Sequence, residues 1–302
     1  MAVIRSCICH LSKLIFAFST RTTLDYTLMD VYIGFDSAWT DNPKAPGAIC
    51  AIAIKDRQPL RFYAPQFVSF NQALTFIKSV SADDGITLIA LDQPTVVPNS
   101  TGMRPVDRVA ASLAGWLGGG VQPANRGRLG MFSSSSPIWC FLNALGATFK
   151  DPEQARLATK GLYLMEVFPA LALPSLDSGF FGRLAGPKYN PDRRKTFRKD
   201  DWARVAEAAA KGFHALGCEE MAAWCRDAGR IDQPQKADQD KIDSVLCVLI
   251  ALRWRLSPRN ESLLIGDPDT GYMVTPASPA VRDCLTREAR KRSVLIDGAS
   301  AA

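Results

Sequence analysis

Three apolar runs in this chain end at or beside a carboxylate, and that recurrence limits the possible folds more than any other feature. The run VYIGFDSAW over residues 31–39 has β-formers at Val31, Ile33 and Phe35 and is apolar enough for a strand covered on both faces. Asp36 stands at its carboxyl end. ITLIAL over residues 86–91 leads into Asp92, and Pro94 forces the chain out of any ladder there. GLYLMEVF over residues 161–168 holds Glu166 just before the terminating Phe168 and Pro169. A carboxylate at the end of a buried strand costs free energy to desolvate unless a charge compensates it. One such acid reads equally well as a turn or helix cap. Three call for a common cation or proton. In an open α/β sheet, strand ends line the crevice where ligands bind.

The order of the other elements agrees with such a sheet. Residues 48–54 and 61–70 read as strands joined to the first by turns at 41–47 and 55–59, an antiparallel meander. Residues 71–80 have helical spacing, with Ala73, Phe76, Ile77 and Val80 on one side. A helix followed by the 86–91 strand implies a parallel crossover. Residues 95–130 are irregular and read as a loop insertion over one end of the sheet, with a helix over 104–117 that turns Val106, Val109, Ala110 and Leu113 inward. Ser133 to Ser136 read as a loop and cap for a helix over 137–145, because no histidine or lysine lies near to activate a hydroxyl. Residues 200–230 are helical, and residues 237–256 form another helix. On that second helix Asp240 and Asp243 are one turn apart, and Cys247 and Ile250 continue their face. Asp243 therefore points inward, whereas Asp238 and Asp240 also suit the helix dipole. A segment at 271–274, a basic helix over 281–292 and a loose Ala/Ser tail complete the chain.

Composition narrows the chemistry. The 302 residues, 47% apolar and 22% charged, are those of a soluble globular chain long enough for a core. A net charge of +6 and a pI near 8.9 allow a polyanionic partner but do not amount to a basic tail. Two histidines, His10 and His214, are too few and too separate for a histidine metal site or a catalytic triad. The eight cysteines include no C-x-x-C pair, and Cys50, Cys140 and Cys247 sit in apolar runs as buried reduced thiols. With no clear export signal, a reducing, cytoplasmic setting is expected. Residues 1–28 carry Arg5, Lys13 and Arg21, no acid before Asp25, and an apolar patch over 14–18 far too short for a membrane span. They read as a disordered extension or a mis-called start ahead of Met29. The expected organisation is that extension, a domain over 29–276 with its insertion at about 95–160, and a basic helix with a loose tail over 277–302. Residues 187–199 are the most basic segment, with Lys188, Arg193, Arg194, Lys195 and Arg198 interleaved by Tyr189 and Phe197. They read as a phosphate-backbone surface or a solvated loop, with Arg104 and Arg108 as further contacts to nucleic acid.

The pieces GFDSAW, ALDQP, GMRPVDR, EVFPA and DKIDSVLCVLIA, in this order and spacing, resemble the family catalogued as domain of unknown function 429. Its members are described as predicted nucleases of the ribonuclease H-like fold. The resemblance covers about residues 29–275 and implies a mixed five-stranded sheet flanked by helices, with loop and helical insertions. It implies that Asp36, Asp92 and Asp243 are metal-binding acids, that Asp240 resembles the helix acid one turn earlier in Holliday-junction resolvases, and that Glu166 belongs to a fifth-strand motif with a catalytic part. Resolvases usually carry Glu on the fourth strand, where this chain has the shorter Asp92. The donor chemistry leads the same way. Convergent carboxylates without histidine or cysteine select Mg²⁺ or Mn²⁺. Two such ions about 3.5 to 4 Å apart activate water and stabilise the leaving oxygen of a phosphodiester. The expected activity is a metal-dependent nuclease acting on DNA or RNA. Two alternatives stay open. A phosphotransferase of the sugar-kinase and actin class would need a glycine-rich phosphate loop after the first strand, where this chain has Ser37, Ala38 and Trp39. A non-catalytic nucleic-acid binder or scaffold on the same fold would show no metal dependence.

Overall fold

In the computed structural model, which describes residues 28–37, 39–146 and 151–300, the meander consists of β1 (Met29–Asp36), β2 (Gly47–Lys55) and β3 (Gln58–Val68). The extension expected ahead of Met29 lies outside the described residues. β1 and β2 are buried almost throughout, whereas β3 is largely exposed at the sheet's edge. Pro59 and Pro65 suit it to that place, because neither has an N–H to offer a further strand. Two register shifts against β2, between Ile49 and Ala51 and between Ala53 and Ile54, interrupt the ladder.

α1 (Phe70–Val80) starts at a capping box between Ser69 and Gln72 and buries Phe70, Ala73, Ile77 and Val80. β4 (Ile86–Asp92) then runs parallel to β1, and β5 (Gly161–Glu166) parallel to β4. The result is a mixed five-stranded sheet in the order β3-β2-β1-β4-β5. The insertion between β4 and β5 carries α2 (Pro105–Trp116), α3 (Pro137–Ala144) and α4 (Pro152–Leu157). After β5 come α5 (Pro169–Leu176), α6 (Lys199–His214), α7 (Glu219–Gly229) and α8 (Lys236–Leu256).

Alternation along β1 divides these helices between two layers. Val31, Ile33 and Phe35 share a core with α1 and α3, whereas Tyr32 belongs to the core built on α6, α7 and α8. Gly34 faces α8 so closely that a Cβ there would lie 1.9 Å from the Ser244 carbonyl oxygen and 2.7 Å from the Val248 nitrogen. Only glycine permits this approach. Asp36 lies on the same strand face two residues on, so the contact that admits α8 also brings Asp243, next to Ser244, over the end of β1.

The end of the chain departs from the sequence reading. β6 (Ser262–Asp267) and β7 (Gly271–Pro276) form a hairpin, α9 (Pro279–Arg290) follows, and β8 (Leu295–Ile296) and β9 (Ala299–Ser300) complete a four-stranded sheet in the order β7-β6-β8-β9. The tail expected to be loose is therefore paired through Ser300. The reason lies in Asp297, whose carboxylate accepts the Leu264 N–H at 2.9 Å and ion-pairs with Arg259 at 2.7 Å and Arg282 at 2.9 Å. Nor is 277–302 a separate appendage. Val281, Leu285 and Ala289 of α9 share a buried cluster with Val106, Val109 and Leu113 of α2. Cys50 and Cys247 are buried as expected, but Cys140 is exposed on the outer side of α3. Among the described residues no helix is long and apolar enough to cross a membrane.

Candidate functional site

Asp36 and Asp92 are register partners on adjacent parallel strands, each the last residue of its strand. Asp243 faces them from α8 across a cleft of about 410 Å³ that all three line. Asp36 and Asp243 are only 8% and 6% exposed. Burial, and then repulsion from Asp92, Asp243 and Asp240, holds the Asp36 carboxyl well above the ordinary carboxylate range. Burial does the same to Asp92, with Asp243 the next cause. Asp243 is pushed up to about 6, burial outweighing the help of Lys236 and of its hydrogen bonds. Those bonds occupy both of its oxygens. Tyr189 Oη donates to Oδ1 at 2.8 Å and Gln239 Nε2 to Oδ2 at 3.0 Å.

The sequence reading missed Lys236 and Gln239, which line this cleft, and misassigned Tyr189. Lys236, in the first turn of α8, ion-pairs with Asp240, and the charges of Asp36, Asp240 and Asp243 stabilise its ammonium against burial. Lys236 and Gln239 precede Asp243 by seven and four residues on one helix face, a spacing that could have found them. Tyr189, expected as an aromatic between surface cations, is buried as the donor to Asp243. Among the described residues, no group of three or more Asp, Glu, His or Cys side chains is gathered tightly enough to hold a metal ion. The donor set of Asp36, Asp92 and Asp243 is nevertheless all oxygen and suits a hard cation. In this arrangement the positive charge beside the acids belongs to Lys236, and Asp240 is spent on that lysine.

Glu166 does not share in the cleft. It lies at the end of β5, where Arg104 Nη1 and Nη2 donate to its two oxygens and the Thr95 N–H adds a bond at 2.9 Å. Arg104 also binds Asp107 at 2.7 Å and the Val96 carbonyl at 2.9 Å. Arg104 is fully buried by this network, so the guanidinium expected at a phosphate is engaged internally, and Glu166 stands in an ion pair with it rather than in the cleft. Arg108 is exposed on α2 and does not line the cleft. Within the basic segment, Lys188 and Arg193 line the cleft beside Asn190 and Thr196, opposite the acids. Arg194, Lys195 and Arg198 are exposed outside it. Lys188 Nζ is anchored on the Gly118 carbonyl at 2.5 Å, which ties the basic loop to the triglycine stretch of the insertion.

The raised carboxyls predict an inverse pH dependence of stability. Between the ordinary value of 3.8 and about 6, the folded chain binds more protons at Asp36, Asp92 and Asp243 than the unfolded chain, so this contribution weakens as pH rises. Melting in chelator should therefore show Asp36→Asn gaining on wild type as pH rises above about 4. A difference that stays flat as pH rises would mean that neither burial nor repulsion raises the Asp36 carboxyl.

The chain matches no family model, no curated protein and no solved structure.

Proposed function

We propose that this chain is a metal-dependent nuclease of the ribonuclease H-like type, similar to the domain of unknown function 429 family. The observation that carries the reading is the pairing of Asp36 with Asp92 at the tips of two parallel strands, with Asp243 facing them from a helix fixed by Gly34. A three-stranded meander followed by two parallel strands and the late helix α8 supports the same fold assignment. In this reading Asp36, Asp92 and Asp243 hold Mg²⁺ or Mn²⁺. The bound metal would activate water and stabilise the departing oxygen. The chain's own groups do the rest. Tyr189 and Gln239 orient Asp243, while Lys236 offsets the acids' mutual repulsion. Lys188 and Arg193, with Asn190 and Thr196, form a cationic and hydrogen-bonding wall for the phosphodiester. Cytoplasmic residence belongs to the same reading, supported by the buried thiols of Cys50, Cys225 and Cys247.

The test is incubation of single- and double-stranded DNA and RNA with the protein in Mg²⁺, Mn²⁺ or chelator. Cleavage is expected in metal only, and Asp36→Asn, Asp92→Asn and Asp243→Asn should each lower it by at least about a hundredfold. Intact substrate in all four cases would reject the reading. Arg193→Gln should weaken polynucleotide binding and flatten the plot of log affinity against log salt by about 0.7 to 0.9. The same change at Arg194, outside the cleft, should have less effect. Equal slopes for wild type and Arg193→Gln would return the segment to a solvated loop.

A further inference from the structure

Beyond Asp92 the cleft opens into a second chamber of about 430 Å³, and the two share Trp39, Asp92, Gly120, Gln122, Phe168 and Arg193. This chamber contains the acids that the metal reading leaves unused. Glu166 and Asp107 both line it, and both are held by the single buried guanidinium of Arg104. Two carboxylates around one guanidinium leave that wall hostile to an anion. Both are buried and spent on Arg104 and on the Thr95 and Ala124 N–H groups, so the acceptors open to the chamber are those of Asp92 and Gln122. The rest of the wall is largely apolar, including Val121, Val167 and Met273. A phosphate is thus unsuited to the chamber. A flat ring carrying N–H donors is suited to it, because its faces meet aromatic and apolar groups and its edge meets acceptors.

Trp39 adds an independent sign of use. Its backbone adopts φ 44°, a left-handed conformation that bulky side chains rarely take. Its ring packs edge-on against the buried Phe132, centroids 5.7 Å apart at 70°, which holds the half-buried indole at the junction of the two chambers. Strain of this kind concentrates at ligand clamps. Arg193 lies at the same junction, where a phosphate attached to a ring in the second chamber would pass.

We propose that the second chamber seats one unpaired nucleobase beside the phosphate to be cut, so that the site takes single-stranded or opened nucleic acid and favours bases with an exocyclic amino group. The proposal rests on the nuclease reading above, and the experiment separates the two. Labelled hexanucleotides bearing adenine, uracil or no base are titrated with the intact protein in chelator, where metal-dependent cleavage cannot intervene, and followed by fluorescence anisotropy. Adenine is expected to bind about tenfold or more tighter than the abasic strand, with uracil between them. Trp39→Ala should remove most of that difference, read as the ratio of adenine to abasic affinity for the same variant. Phe168→Ala provides the same test should Trp39→Ala melt early. Equal wild-type affinity for the adenine and abasic strands would overturn the base chamber and leave the nuclease reading standing. Failure of every strand to bind, even at low salt, would overturn the nucleic-acid reading and this proposal with it.

Discussion

Millimolar Mg²⁺ or Mn²⁺ should raise the melting temperature of the wild-type protein by several degrees and leave Asp36→Asn unmoved. The argument is mass action. A cation that binds only the folded chain stabilises it by about 2.7 kcal/mol at a hundredfold excess over its dissociation constant. For a chain of this size each kcal/mol moves the midpoint by roughly 2 to 4 °C, so a shift of about 5 to 10 °C is expected. Asp36 is the sensitive position, because burial and the neighbouring Asp92, Asp243 and Asp240 all raise its carboxyl. Its amide replacement removes one ligand and one source of repulsion together. In chelator the variant should melt above wild type; in metal the order should reverse or close. The cation must also contend with the Lys236 ammonium, already paired with Asp240. Calorimetric titration would give the affinity directly. A wild type whose midpoint ignores both metals at millimolar levels would end the metal-site proposal.

Arg104→Met should be the most damaging single change outside the cleft, with a loss of about 3 to 5 kcal/mol in urea or thermal unfolding. Arg104 has no exposed surface, and its guanidinium is the shared partner of the Asp107 and Glu166 carboxylates. Its removal leaves two acids in the interior with burial already raising Glu166. The Val96 carbonyl loses a donor as well, so the Thr95 N–H bond to Glu166 is left to tie the start of the insertion to the end of β5. Changing all three residues together to apolar ones of similar volume should recover much of the loss, because no lone charge remains to be desolvated. By contrast Lys160→Met, which breaks the exposed pair with Asp84, should cost little. Equal small effects at both positions would mean that water reaches Arg104.

The parts of the fold legible in the sequence were those written in local periodicity. Asp36 and Asp92 stand where apolar strands stop, and proline after Asp92 marks the stop. Asp243 could be placed inward because Cys247 and Ile250 repeat its helix face. Tertiary partners carried no comparable mark. Arg104 meets Glu166 across 62 residues of chain, and Tyr189 meets Asp243 across 54. Read locally, each looked like part of a surface that binds polyanions. The last strands were a different kind of miss, since the cue was present. Asp297 and Gly298 both have positive φ, 54° and 77°, and Asp-Gly is a strong hairpin signal. Strands of two residues each gave no alternation to set beside it.

The exposed rim of the main sheet has a consequence for how this protein tolerates crowding. An edge strand with an unbroken row of N–H groups is a template on which another chain can zip, the first step towards fibrils. β3 carries exposed apolar residues, Leu60 and Phe67, that would make such a template adhesive. Pro59 and Pro65 break the row of donors on either side of Arg61, and the bulges against β2 bend what is left. An incoming strand would find only short lengths of partner before each gap. Leu60 and Phe67 are thus exposed on an edge that offers an incoming strand little unbroken ladder to pair with.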